Sequence, residues 1–485
     1  MNKNFSALKP EAVWRHFEKI MSIPHPSLHE AALRDYIKGF AADHNLECIE
    51  DKTGNVIIRK GATAGMESRQ GIILQGHIDM VPQRDAEREF DFLTDPIEGY
   101  IDGEWVRANG TTLGADNGVG AAAALAILED ETLAHPMIEA LFTVNEERGM
   151  DGAFGLEAGV LQGDILLNLD TEEESELCIG CAGGLNLVAT LNYESEPTPQ
   201  GDYVARRLEV SALRGGHSGC EIHEQRGNAN KLLFRLLRLT KLELLIAAVD
   251  GGTLHNAIPR EAHADILIHR DDLALFEEQV ARYESTIRNE YGSVESGINV
   301  TLSEIEYPSE MIEEDAAACL VWGVAAAHDG VWKMSYTMLG LVQSSSNLAT
   351  IKSREGEIRI EISLRSSCES EITALADTIA STFELADFEV SCEGGYPGWQ
   401  PNVESPILKT MSESYRKLFS KEPNVLAVHA GLECGIIGAT YPNLDMISFG
   451  PTILSPHSPS ERVEIGSVER FYQLLRYTIE NTPEK

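Results

Sequence analysis

Apolar residues recur at helical spacing in Glu11–Ile20 and again in Leu28–Phe40, with Pro24 and Pro26 between them, which predicts helix, loop, helix. Short apolar runs follow at Val56–Ile58, Ile72–Leu74, Ala140–Val144 and Ile165–Leu167, each bounded by Gly, Asn or Asp, as strands buried on both faces are. Gly118–Leu128, alanine-rich and apolar, predicts a packed helix among them. Alternating strands and helices predict an α/β fold, a mixed and mostly parallel sheet sandwiched by helices.

After Gly183-Gly184 the texture changes. Leu185–Leu191 and Tyr203–Leu213 alternate apolar and polar residues, the period of strands with one wet face. Helical patterns at Asn230–Leu239 and Leu273–Asn289, and further alternation at Ile298–Ile305 and Glu357–Leu364, predict an inserted α+β domain. From Ser405 the first texture returns, with a helix at Pro406–Leu418 and apolar runs at Val425–Val428 and Leu444–Phe449. The expected organisation is a first domain made of residues 1–186 and 400–485, interrupted by an insert of residues 187–399. At 485 residues the chain exceeds what one core usually organises, and 43% hydrophobic content suffices to fill two.

Charge and cysteine usage narrow the function classes. A net charge of -38, from 39 basic and 77 acidic residues, repels nucleic-acid phosphates and anionic lipid headgroups, so neither is an expected partner. No run of about 18 apolar residues occurs, and Met1–Glu11 lacks the apolar stretch of a signal peptide, so a cytoplasmic protein is expected. Eight cysteines are too sparse for a disulfide scaffold, and the single Cys178-Ile179-Gly180-Cys181 pair reads as structural more readily than as redox-active or zinc-binding.

Against this background a scatter of acids and histidines stands out, because each lies at or just beyond an apolar run, the sheet edge where α/β folds build ligand sites. His77 and Asp79 follow one strand and point the same way in extended backbone, so the carboxylate can fix the imidazole tautomer. Asp116, in Gly114-Ala115-Asp116-Asn117-Gly118, reads either as a metal ligand or as a helix N-cap. Glu146-Glu147 follows the Ala140–Val144 run. The pair is either a solvated acidic turn or two carboxylates near a cation, one as ligand and one as base. Asp170 ends the next strand, and His457 stands in the proline-flanked loop Ser455-Pro456-His457-Ser458-Pro459. Two histidines with three or four carboxylates suit zinc, manganese or cobalt, and two such ions about 3.5–4 Å apart can activate water and polarise a carbonyl.

These residues occur together with Ser22-Ile23-Pro24-His25-Pro26, Gly110-Thr111-Thr112-Leu113-Gly114-Ala115-Asp116-Asn117-Gly118, Gly215-Gly216-His217-Ser218-Gly219, Asn256-Ala257-Ile258-Pro259-Arg260-Glu261-Ala262, Tyr396-Pro397-Gly398-Trp399-Gln400-Pro401 and His429-Ala430-Gly431-Leu432-Glu433-Cys434-Gly435. With these runs, nearly the whole chain resembles the zinc-dependent peptidases that include glutamate carboxypeptidase, aminoacylase and the cytosolic dipeptidases, most of all the Xaa-His dipeptidases among them.

The resemblance implies that His77, Asp116 and Asp170 hold one metal and Asp116, Glu147 and His457 the other, with Asp116 bridging. It implies Glu146 as general base, Asp79 as the orienting partner of His77, and His217 as an oxyanion-stabilising residue of an inserted lid; taken alone, His217 reads as a histidine in an ordinary hairpin. Asn256, Arg365 and Gly431 would contact substrate, Arg365 gripping a C-terminal carboxylate, with Arg260 and Arg270 as further candidates. The implied cofactors are two divalent ions, zinc foremost, and the implied substrate is a dipeptide. A homodimer through the lid is also implied, with His217 acting either within its own subunit or across the dimer. Two other functions remain open at this point: a deacylase of N-acyl amino acids, and a metal-binding scaffold without catalysis. An unligated Glu146 beside a full ligand set argues against the second.

Overall fold

The computed structural model describes residues 3–485. The chain forms two compact units, one comprising the chain up to Gly180 with Trp399–Ala427 and Leu432–Lys485, the other Cys181–Gly398 with Val428–Gly431.

The first unit is built on an eight-stranded sheet. Its order is Glu47–Glu50, Val56–Lys60, Ile138–Thr143, Ile72–His77, Ile165–Asn168, Asp445–Ser448, Glu176–Cys181 and Asn424–Val428. The parallel pairs lie at its centre, where Ile72–His77 runs between Ile138–Thr143 and Ile165–Asn168, and Asp445–Ser448 continues the set. Antiparallel strands finish the sheet on both sides. The central strands are buried along their whole length, which is why they read as unbroken apolar runs rather than as alternation.

The alanine-rich segment forms the helix Ala115–Glu129, buried up to Leu128. It lies close against Glu11–Met21: a Cβ on Gly118 would stand 3.1 Å from the Phe17 ring. The helix expected from Leu28 begins instead at Ala31, because Leu28 sits in the left-handed region at φ 71 and its N–H is taken by the Glu30 carboxylate. A small antiparallel sheet of Gly99–Asp102, Trp105–Ala108, Arg462–Glu464 and Ile453–Leu454 has no counterpart in the sequence reading.

The second unit holds a nine-stranded antiparallel sheet in the order Asn299–Glu304, Tyr203–Ser211, Ala262–His269, Leu244–Gly251, Val342–Arg354, Glu357–Ser366, Gly183–Asn192 and Glu389–Tyr396, with Gly330–Met334 paired to Val342–Arg354. Apolar residues of four helices, Ala229–Leu239, Leu273–Tyr291, Glu314–Ala326 and Glu369–Glu384, share one core with the strands. Glu314–Ala326 escaped the sequence reading because it is apolar almost all round and shows no polar stripe. No helix among the described residues is long and apolar enough to cross a membrane.

Candidate metal centre

The parallel strands of the first unit deliver their acids and histidines to one edge. His77 is the last residue of Ile72–His77, Glu146 and Glu147 follow Ile138–Thr143, and Asp170 follows Ile165–Asn168. Asp116 comes from the start of the Ala115–Glu129 helix, where its φ/ψ is not helical. His457 stands at φ 57 in the turn between Ile453–Leu454 and Arg462–Glu464, so the unforeseen small sheet carries one member of the site.

The two open readings of Asp116 separate here. The helix has Gly114, not Asp116, at its N-cap, and the Asp116 carboxylate faces two imidazoles: Oδ1 lies 3.2 Å from His77 Nε2 and Oδ2 lies 3.1 Å from His457 Nε2. The amides leading into the helix are held by Glu461 instead, whose buried carboxylate accepts the N–H groups of Leu113, Gly114, Ala115 and Asp116. Around the same point, Asp170 Oδ1 is 3.4 Å from His77 Nε2, and Glu147 Oε1 is 2.9 Å from His457 Nε2. Ligand atoms of His77, Asp116 and Asp170, and those of Asp116, Glu147 and His457, lie within 4.8 Å of one another. Glu146 also falls within that span of His77 and Glu147.

His77 shows why this arrangement fits a cation. Its Nδ1 faces two acceptors, the Asp79 main-chain oxygen at 3.1 Å and the Asp79 carboxylate at 3.4 Å, so Nδ1 carries the proton. Nε2 then turns a lone pair toward two carboxylate oxygens, which only a proton or a metal reconciles. Asp170 Oδ1 and Glu147 Oε1 are buried and face one imidazole nitrogen each, which must be protonated to donate to them, a costly arrangement for carboxylates without a cation. Bonds of about 2.0–2.2 Å to a tetrahedral zinc separate ligand atoms by roughly 3.2–3.6 Å, close to the spacings found. The site therefore fits two divalent cations sharing Asp116.

Electrostatics agrees with this reading. Burial alone would lower the His77 pKa, but Asp170, Asp116 and Asp79 hold it well above its ordinary value. Hydrogen bonds to Asp116 and Glu147 lift His457 to about 11. Burial, with the charges of Asp116 and Glu147 nearby, pushes Asp170 up to about 6. Glu146 is raised well above the carboxylate range, by burial first and then by Asp170, Glu433 and Glu147. Protons thus occupy a cluster that suits metal ions equally well.

Asp79 does more than face His77. Its carboxylate also accepts the N–H groups of Glu146 and Glu147 and the Ser27 hydroxyl, while Glu30 accepts the Asn145 N–H at 3.0 Å. Sequence reasoning missed Ser27, Glu30 and Glu461. Glu433 was quoted only as part of a motif; its buried carboxylate binds Gln75 and Thr143 just beneath the site.

The expected residues His217, Asn256, Arg365 and Gly431 lie in the second unit. Gly216–His217 pairs with Ala257–Ile258, and the Ser218 N–H donates to the Asn256 main-chain oxygen, so His217 and Asn256 are neighbours. His217 Nδ1 accepts the N–H groups of Gly219 and Cys220 at 3.2 and 3.0 Å. The imidazole proton must therefore sit on Nε2. Burial and the Arg365 charge lower the His217 pKa and keep the ring neutral. Arg365 is buried on Glu357–Ser366, and Gly431 packs against the Tyr396 ring. Cys178 and Cys181 are buried on Glu176–Cys181.

Residues 73–481 match the family described as Peptidase family M20/M25/M40, and the chain belongs to that family of hydrolases. It is 43% identical over 482 residues, 99% of each chain, to the cytosol non-specific dipeptidase of Escherichia coli (strain K12). Its structure resembles that of aminoacylhistidine dipeptidase from Vibrio alginolyticus with a TM-score of 0.95 and 42% identity, covering 100% of this chain and 99% of the other. A tripeptidase from Staphylococcus aureus shares the fold at a TM-score of 0.57 and 15% identity, over 98% and 99% of the two chains.

Proposed function

We propose that the protein is a cytoplasmic, metal-dependent dipeptidase that hydrolyses the amide bond of dipeptides, Xaa-His dipeptides such as carnosine among them. The observation that carries this reading is the convergence of ligand atoms of His77, Asp116, Glu147, Asp170 and His457 beside a Glu146 whose proton affinity is raised. Full-length similarity to a dipeptidase and to an aminoacylhistidine dipeptidase supports the substrate class.

His77, Asp116 and Asp170 would hold one ion, Asp116, Glu147 and His457 the other, and the donor set suits zinc best, with cobalt or manganese as alternatives. When bound, the two ions supply the Lewis acidity that lowers the pKa of a water and polarises the scissile carbonyl. Glu146 accepts the proton of the attacking water and delivers it to the departing amine. His217, with its proton on Nε2, donates to the oxyanion. Arg365 grips the C-terminal carboxylate, and Asn256 and Gly431 shape the substrate's place. Asp79 keeps His77 in the tautomer that frees Nε2.

The unit Cys181–Gly398 acts as lid and as homodimer surface, and its exposed Trp332, Tyr336 and Leu339 offer apolar area for such a contact. Activity on carnosine and other dipeptides compared with acetylated amino acids tests the substrate class. Cleavage of dipeptides alone is expected, and a preference for acetylated amino acids would turn the reading toward a deacylase.

A further inference from the structure

Tyr396 is the last residue of Glu389–Tyr396 and stands in register with Gly184, which is in register with Arg365 on the next strand. On the far side of Arg365 the register continues to Ser345. Side chains in register across neighbouring strands share a face of the sheet, so Arg365 and Tyr396 flank a glycine where a third side chain would otherwise stand. A Cβ on Gly184 would sit 2.5 Å from Tyr396 Cε1. On the other edge of the ring, a Cβ on Gly431 would sit 2.8 Å from Cε2. Two glycines thus clasp the phenol ring and bring its oxygen to Arg365, whose Nη1 donates to Tyr396 Oη at 3.0 Å.

The surroundings of Arg365 give that contact its meaning. Arg365 is 6% exposed, and the hydrogen bonds of its guanidinium among the described residues reach only neutral oxygens, Tyr396 Oη and, at a long 3.4 Å, Ser218 Oγ. Its Nε is buried with no partner. His429, whose Nε2 meets Ser345 Oγ at 2.7 Å, is neutral and brings no counter-charge. A buried arginine with no carboxylate among its hydrogen-bond partners can take an anionic ligand as its counter-charge. A planar fork binds a carboxylate bidentately in one orientation, and Tyr396 Oη, at 3.0 Å against 3.4 Å for Ser218 Oγ, is its closer hydrogen-bond partner.

We propose that Tyr396 is a positioning residue that orients the Arg365 guanidinium for the substrate's C-terminal carboxylate. The inference rests on the reading of Arg365 as the carboxylate-binding arginine. Tyr396→Phe keeps the ring between its two glycines and deletes only the oxygen, so folding is preserved.

The test is steady-state kinetics of wild type, Y396F, R365A and the double variant on a dipeptide and on its C-terminal amide, with thermal melting alongside. For Y396F the expected result is a KM for the free acid raised about tenfold, with kcat nearly unchanged. The amide should respond little and the melting temperature should hold. R365A should abolish the preference for the acid, and adding Y396F to it should cost nothing more. If R365A removes the preference while Y396F retains it, or if Y396F lowers acid and amide equally, the positioning role is overturned. If R365A itself keeps the preference, the carboxylate-binding reading fails first and takes the inference with it.

Discussion

The Asp79 carboxylate accepts the backbone N–H of Glu146 at 2.9 Å while facing His77 Nδ1 at 3.4 Å. One buried acid therefore sets both the tautomer of a proposed ligand and the backbone of the proposed base. Asp79→Asn keeps the size but offers one acceptor oxygen where two are in use. Metal affinity should fall about 10–100-fold, and kcat should stay depressed even at saturating metal because the Glu146 turn has lost its anchor. Titration with a competing chelator, followed by assay at full occupancy, checks both parts; an unaltered metal constant would remove Asp79 from this role.

Glu146→Gln preserves shape and removes the proposed proton acceptor. Turnover should drop about 10²–10⁴-fold, with two ions per chain still bound by elemental analysis. Loss of an ion together with activity would instead make Glu146 a ligand, a role its nearness to His77 and Glu147 leaves geometrically available.

His217→Ala removes a neutral donor whose proton is placed on Nε2 by the Gly219 and Cys220 amides. An oxyanion donor of this kind contributes about 10²–10³ in kcat, so kcat should fall by that order with KM and metal content little changed. An effect on KM alone would assign His217 to ground-state binding.

Much of this site is legible in the sequence because strand ends are. Ile72–Leu74, Ala140–Val144 and Ile165–Leu167 announce buried parallel strands, and His77, Glu146, Glu147 and Asp170 stand just past them. Asp116 stayed ambiguous because a ligand and an N-cap occupy the same sequence position. What separates them is His457, which meets the Asp116 carboxylate from 341 positions away, while Glu461 holds the amides leading into the helix from more than 340 positions away. A single acid in a polar loop carries no mark of such burial. The hairpin that presents His457 depends on pairing with Trp105–Ala108, and the approach of Tyr396 to Arg365 depends on the register of three strands distant in sequence. Long-range pairing leaves no local periodicity. The helix start at Ala31 was misplaced because apolar spacing says nothing of the left-handed turn at Leu28.

Proton and metal compete for the same atoms. Relative to the unfolded chain, the folded metal-free protein has raised pKa values at His77 and at His457, from 6.5 to about 11. Asp170, Glu433 and Glu461 are also raised, to about 6, 7 and 7. A histidine with a raised folded pKa stabilises most below its unfolded value, and that stabilisation is lost as pH climbs toward the folded value. Carboxyls with raised pKa values act in the same direction, because the folded state holds the extra proton. Asp79 and Asp116 are lowered and work the other way, chiefly at acid pH. The metal-free protein should therefore lose thermal stability between about pH 6 and pH 9, while the stabilisation gained on adding zinc should grow over that range as protons cease to compete. Melting curves with and without metal check the sign; a metal-free melting temperature that rises over the same interval would contradict it.

Whether the cluster of His77, Asp116, Glu147, Asp170 and His457 is the working centre of a dipeptidase is tested most directly by following carnosine or another dipeptide through chelation and metal restoration. Activity should vanish when the ions are removed and return on adding zinc, cobalt or manganese, reaching its plateau at two ions per chain. Hydrolysis that persists in the metal-depleted protein, or a restored metal content without dipeptide cleavage, would contradict the account.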